Sequence, residues 1–171
     1  VDETLTLDPA DFERRIGPRT KAVIPVHMGG RPSDMDAILA VAKKHGIRVL
    51  EDACQAIGGS YKGRRLAAIG DAGAFSFNQF KTITCGEGGA LLTNDRKLFE
   101  RALYFHDMGC TFRGHAGTMT EEPFLGHTLR MNELQCAVLR VQLDRLDGIL
   151  ARLRERRDWL LEAVSAEGSA V

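Results

Sequence analysis

Neither sign of charge is in excess: the 171 residues carry 23 Lys plus Arg against 23 Asp plus Glu. A balanced chain has no global field to draw it onto nucleic acid or an anionic membrane. No apolar run approaches the roughly 20 residues of a membrane span. The opening VDETL has none of the features of a signal peptide and lacks methionine, so it reads as an internal start of a cytoplasmic protein. The four cysteines, Cys54, Cys85, Cys110 and Cys136, are far apart, with no C-x-x-C pair and no zinc spacing. That argues for reduced thiols and against a disulfide framework. The histidines (His27, His45, His106, His115 and His127) show no metal-ligand spacing, and no metal is expected. No G-x-G-x-x-G or Walker pattern occurs, which disfavours a generic nucleotide-binding module. Internal repeats and low-complexity tracts are also missing.

What is present is an ordinary globular composition, 44% apolar and 27% charged, long enough for one domain with a real core. "KAVIPV" (21–26) is a short β-branched run and predicts a buried strand. A loop with Gly29, Gly30 and Pro32 follows. Ser33, with Asp36 three residues on, predicts a helix cap; Met35, Ile38, Leu39 and Ala42 share one face, and Gly46 is the stop. "IRVLED" (47–52) is the next strand. Strand, helix and strand with short joints predict a parallel βαβ unit, hence an α/β fold. "DAGAFSF" (71–77) and "GALLT" (89–93) read as further strands. Asn94 or Asp95 opens a helix whose apolar face holds Leu98, Ala102 and Phe105. A long glycine-bearing stretch, 108–130, reads as a functional or mobile loop. Asn132 with Gln135 makes a second capping-box pattern, before a helix lined by Leu134, Val138 and Val141. The last stretch is helical and highly charged, with Gly148 as a break and "RLRERR" (152–157) as a solvated face.

Three features fall at the carboxyl ends of predicted parallel strands, where open α/β sheets gather their ligands. Asp52 closes "IRVLED", Ser76 lies near the end of "AGAFSF", and Lys81 stands just beyond it. Residues 78–80 and 82–84 are all uncharged, a setting that favours an amine acting as a nucleophile toward a carbonyl. Gly86, Gly88 and Gly89 permit close backbone approach to a bound group, or serve a plain tight turn. Glu51 should point the other way from Asp52 along the strand. Asp52 is a helix cap or a partner for a cation, and Gln55 lies one helical step on. An aldehyde-trapping lysine and a lone buried acid are together what pyridoxal phosphate catalysis asks for: the lysine holds the cofactor and the acid keeps the pyridine nitrogen protonated. A hydroxyl such as that of Ser76 suits a phosphate oxygen. Taken alone, Lys81 also reads as an ordinary surface lysine.

Read together, "IPVHMGGRPSDMDAI", "VLEDACQAIGGSYKGRR", "GDAGAFSFNQFKTITCGEGGALLTND" and "LGHTLRMNELQCAVLRVQLDRLD" resemble the DegT/DnrJ/EryC1/StrS family of sugar aminotransferases, in unbroken order to about Leu146. The resemblance implies a three-layer α/β/α fold with a mostly parallel sheet, part of the large domain of fold type I pyridoxal phosphate enzymes. It implies a cytoplasmic transaminase moving an amino group from glutamate or glutamine to a nucleotide-linked keto sugar or a keto-cyclitol. By motif, Lys81 is the Schiff-base lysine and proton shuttle, Asp52 pairs with the pyridine nitrogen, Gln55 lies by the phenolic oxygen and Ser76 contacts the phosphate. Dehydratases of the family carry histidine in place of that lysine, so Lys81 favours transamination.

Two departures stand out. Thr128 occupies a position where the family usually has asparagine, which reaches the cofactor phosphate of a neighbouring subunit in a homodimer. Length is the other: 1–146 corresponds to a partial large domain and 147–171 to a helical connection toward a small C-terminal domain. The upstream glycine-threonine segment and the ring-stacking aromatic have no counterpart, so an unpaired sheet edge and weak cofactor binding are expected. The alternative is a truncated, non-catalytic pairing module. In the long loop, Arg113 and His115 are candidates for a phosphate-bearing substrate, with a solvated loop as the competing reading. Arg130 is either a structural ion-pair partner or a ligand contact.

Overall fold

The computed structural model describes residues 1–109 and 116–166. The chain opens with helix α1 (Pro9–Arg14), whose start follows from Asp8: its carboxylate accepts the Ala10 and Asp11 N–H groups, and Pro9 follows at the first helical position. Strand β1 (Ala22–Val23) is shorter than the apolar run 21–26 predicts. Pro25 has no N–H to give a ladder. Its carbonyl still accepts from the Asp52 amide, and Val26 rejoins the sheet as an isolated parallel bridge to Asp52.

Helix α2 (Met35–His45) and strand β2 (Arg48–Asp52) complete the βαβ unit. The cap of α2 is Asp34, which accepts the Ala37 N–H, rather than Ser33. Ser33 is fully buried and donates its hydroxyl to the Val26 carbonyl instead. Met35, Ile38 and Ala42 form the buried face, and Gly46 ends the helix in the left-handed conformation. The hairpin of β3 (Ser60–Tyr61) and β4 (Arg64–Arg65) was not among the predicted elements. Its signal is the two-residue turn of Lys62 and Gly63, both at positive φ. Strands β5 (Ala72–Ser76) and β6 (Gly89–Leu92) follow.

The four-stranded sheet runs β1-β2-β5-β6. The first two pairings are parallel, as the βαβ reading requires, and β5 with β6 is antiparallel. Val49 and the small residues of 53–69 join Phe12, Met35, Ile38 and Ala42 in the main core, so α1 and α2 cover one face. On the other face Leu50, Ala72 and Leu91 line a cleft of about 370 Å³ with residues of α3 (Arg96–His106).

In α3 the buried residues are Glu100 and Tyr104, not the expected stripe of Leu98, Ala102 and Phe105; Phe105 is 43% exposed. The reason is a polar clamp. The Glu100 carboxylate accepts N–H groups of Thr120 and Glu121, the Thr120 hydroxyl and the Arg96 guanidinium. It ties the described part of the long loop to the helix, and those contacts, led by the Thr120 N–H, hold its pKa at about 2. Helix α4 (Glu133–Asp144) starts in the predicted capping box of Asn132 and Gln135. Helix α5 (Leu146–Ala166) runs straight through Gly148; the break lies three residues before that glycine, at Arg145. Leu134, Val138 and Val141 line a face that stays 50–80% exposed, and 152–157 is solvated as expected.

Candidate active site

Asp52 and Ser76 reach one end of one face of the sheet by register. Asp52 pairs with Ala74 across the parallel ladder, and Ser76 lies two residues further along β5, on the same face. Glu51 points oppositely, as alternation demands, and it is Glu51 that is wholly buried; Asp52 is half-buried. The two carboxylates sit back to back, so one acid alone faces the candidate site, half-buried rather than buried.

Asp52 caps a turn with one oxygen, accepting the Cys54 N–H at 3.0 Å through Oδ1. The Cys54 thiol is a second neighbour of the same carboxylate. Gln55 is exposed and its Oε1 accepts the Gly29 N–H at 2.9 Å; among the described residues its amide NH₂ has no hydrogen-bond partner. Ser76 Oγ accepts the Asn78 N–H at 3.3 Å and keeps its own proton for another acceptor. Lys81 follows a turn in which Asn78 Oδ1 accepts the Phe80 N–H and the Asn78 carbonyl accepts the Lys81 N–H. Its side chain is half-buried, and among the described residues Nζ forms no ion pair or hydrogen bond.

Cys54 joins Lys81 and Asp52. Burial pushes its thiol up to about 11, the Asp52 carboxylate pushes the same way, and the Lys81 ammonium pulls it down. Lys81 and Asp52 thus both act on one sulfur atom. A thiol held neutral is a poor nucleophile. Sequence reasoning missed Cys54, although its place two residues after Asp52 was visible.

Of the glycine cluster, Gly89 pairs with Ser76 across the antiparallel β5–β6 ladder. Gly86 is at positive φ in a turn, and Gly88 packs on Met131 and the Cys85 sulfur. Beside the Lys81 turn lies a cleft of about 260 Å³ whose lining includes Gly30, Gln55, Thr82, Leu150, Arg154 and Arg157, and no carboxylate. Thr128 is not brought to this group. It is exposed, in an extended segment bridged to Asp107. Arg130 pairs with the Asp107 carboxylate at 3.1 Å, which favours its structural reading. Arg113 and His115 lie outside the described residues. His27 is fully buried and bonded to Glu51, so it does not face the pocket. Among the described residues no group of His, Cys, Asp and Glu is arranged to hold a metal ion.

The model of the DegT/DnrJ/EryC1/StrS aminotransferase family matches residues 1–166. The chain belongs to that family. It is similar to the spore coat polysaccharide biosynthesis protein SpsC of Bacillus subtilis, 44% identical over 162 residues, covering 91% of this chain and 42% of that protein. It is also similar to the GDP-perosamine synthase of Caulobacter vibrioides, 38% identical over 168 residues, covering 98% and 44%. Among solved structures, the aminotransferase from Psychrobacter cryohalolentis superposes with a TM-score of 0.88 at 35% identity, over 98% of this chain and 45% of that one. The fold is accordingly that of fold type I transferases of the pyridoxal phosphate class. This family member spans less than half the length of the relatives it matches.

Proposed function

We propose that this chain is the cofactor-binding part of a pyridoxal phosphate-dependent aminotransferase acting on a nucleotide-linked keto sugar. What supports the reading is that Asp52 and Ser76 share one end of one sheet face, that Lys81 and Asp52 both act on Cys54, and that Gln55 is held beside them by the Gly29 N–H. The donor set fits the cofactor: an amine for its aldehyde, a carboxylate for its ring nitrogen, an amide for its phenolic oxygen and a hydroxyl for its phosphate. When bound, pyridoxal phosphate supplies the electron sink that stabilises a carbanion at the amino-bearing carbon.

The chain's own residues do the rest. Asp52 accepts the ring N–H and keeps that proton in place. Gln55 donates its amide N–H and orients the ring. Ser76 donates to the phosphate. Lys81 would hold the cofactor through its aldehyde, and its amine would be the group placed to take and return a proton at the substrate's amino-bearing carbon. Thr128, exposed on its extended segment, is the candidate contact to the phosphate of a second subunit. Residues 147–171 lead toward a small C-terminal domain.

The substrate class rests on chemistry as well as on kinship. The cleft beside Gln55 and Thr82 is lined by Arg154, by Arg157, which is paired with Asp158, and by the apolar walls of Ile57, Leu150 and Leu153. That suits a phosphate-bearing acceptor better than an uncharged cyclitol. The similar Caulobacter protein is a GDP-perosamine synthase, in keeping with a nucleotide-linked sugar. Glutamate or glutamine is the proposed amino donor.

The second reading, a non-catalytic pairing module, is favoured by the exposed face of α4 alone. Adding pyridoxal phosphate to the chain and to Lys81→Ala separates the two. The enzyme reading expects a visible absorbance band with the parent and none with the variant. Equal bands in both, or self-association without any cofactor response, would support the pairing module.

A further inference from the structure

The sheet face opposite the candidate site holds a buried network that the proposed reaction does not use. Glu51 and His27 are both fully buried. Glu51 Oε1 accepts the N–H groups of Ile69 at 2.6 Å and Gly70 at 2.7 Å; Oε2 accepts the Ala67 N–H at 2.9 Å and meets His27 Nε2 at 3.1 Å. The backbone N–H of Ser33 donates to His27 Nδ1 at 3.1 Å. Nδ1 is thereby an acceptor, so the ring proton sits on Nε2 and points at Glu51. Every lone-pair direction of the carboxylate faces a donor, which only the anion satisfies. Burial alone would raise the Glu51 pKa, but His27 and the three backbone N–H groups outweigh it and the net shift is downward.

These contacts tie three segments together, and each delivers a site residue. Glu51 is the residue before Asp52 on β2. His27 belongs to the 27–33 loop, whose Gly29 holds Gln55. The 67–70 turn leads into β5, which ends at Ser76. The backbone completes the frame: the His27 N–H donates to the Asp52 carbonyl, and the Ala53 N–H to the Ala74 carbonyl.

We propose that Glu51, working through His27, is the positioning residue that sets Asp52, Gln55 and Ser76 in register for the cofactor. The inference rests on the cofactor reading given above and adds residues on the far side of the sheet to it. A carboxamide at 51 would turn an NH₂ toward backbone N–H groups, so Glu51→Gln loosens the clamp at almost unchanged volume. His27→Asn keeps an acceptor for the Ser33 N–H and loses the reach to Glu51. His27→Gln recovers a donor at the distance of Nε2.

The test is a pyridoxal phosphate titration of the full chain, reading both the dissociation constant and the pH midpoint of the bound cofactor's absorbance, with a thermal melt to establish folding. Among the described residues, Asp52, Cys54 and Lys81 are ionisable groups placed at the candidate site. Glu51→Gln and His27→Asn should weaken binding on the order of tenfold, the scale at which supporting partners act on metal ligands, and should move the pH midpoint. His27→Gln should recover part of both. A folded Glu51→Gln with parental affinity and midpoint overturns the proposal, as does a loss of affinity at an unmoved midpoint, which is the mark of mere destabilisation. If Glu51→Gln does not fold, the two His27 variants decide by the same criteria. If none folds, the ¹⁵N signals of His27 in the parent decide. They should report the Nε2–H tautomer and shift when cofactor is added; unmoved signals overturn the proposal. A parent chain that gives no absorbance band overturns the cofactor reading itself, and this inference with it, whereas a parent that binds beside unaffected variants overturns only the positioning role.

Discussion

Glu51 and Asp52 are consecutive on one strand and face opposite sides of the sheet: the first is sealed among four N–H donors, the second turns a half-buried carboxylate to the ligand side. A strand's two-residue period makes this unavoidable. The same alternation that gives the core a charged anchor gives the site its acid. Replacing Glu51 therefore removes acceptors from buried N–H groups, and Glu51→Ala should cost roughly 3–5 kcal/mol by the scale of broken buried pairs. Urea unfolding measures it; a loss below 1 kcal/mol would mean the network carries little of the fold.

Glu100 predicts an acid-labile loop. Its pKa is about 2 in the folded chain against an ordinary 4.5, owing first to the Thr120 N–H. A depressed carboxylate stabilises fully above the unfolded value and loses that contribution as pH falls from about 4.5 toward 2. Unfolding midpoints should drop across that window, and Glu100→Gln should flatten the drop while lowering stability at neutral pH. A variant with the parental acid profile would assign the lability elsewhere.

The main core should respond as a packed one. Ile38 is fully buried in the cluster that also holds Phe12 of α1 and Val49 of β2. Ile38→Ala is expected to destabilise by about 2–5 kcal/mol through lost burial and the cavity left behind. Denaturant titration tests this, and a loss under 1 kcal/mol would contradict the packing described.

The capping box of α4 is a smaller lever. Asn132→Ala removes the acceptor for the Gln135 N–H and should cost about 1 kcal/mol. Gln135 also donates to the Glu87 carbonyl at 2.9 Å, so protection of the 86–88 turn against hydrogen exchange should fall with it. Unchanged protection there would show that the turn stands by itself.

The exposed stripe of Leu134, Val138 and Val141 predicts association through α4. Val138→Glu should shift the chain toward monomer in sedimentation velocity. A parent that is monomeric at every concentration tested would remove this face from the account.

Much of the fold was legible because local rules and tertiary packing agree. The βαβ unit, the stop at Gly46 and the box at Asn132 each follow from a few neighbouring residues. Where they disagree, packing prevailed. Ser33 was a fair cap by type, but its burial under His27 gave its hydroxyl to Val26 and left the cap to Asp34. The stripe on α3 looked apolar because no local signal shows that a loop twenty residues downstream will fold onto Glu100. Gly148 was read as a break on propensity alone, and its neighbours carried the helix through it. At the site, Asp52 and Ser76 were readable from strand ends. Thr128 was known only by kinship, and nothing within one chain brings it to the others. The buried pair of Glu51 and His27 lies 24 residues apart in sequence, so only the folded register reveals it.

The most direct test of the account is borohydride reduction of the chain in the presence of pyridoxal phosphate, followed by mass analysis of the intact chain and its peptides. A single major adduct is expected, carried by the peptide that contains Lys81 and lost in Lys81→Ala. Adduct spread over surface lysines such as Lys43, Lys62 and Lys97, with Lys81 unmodified, would contradict it.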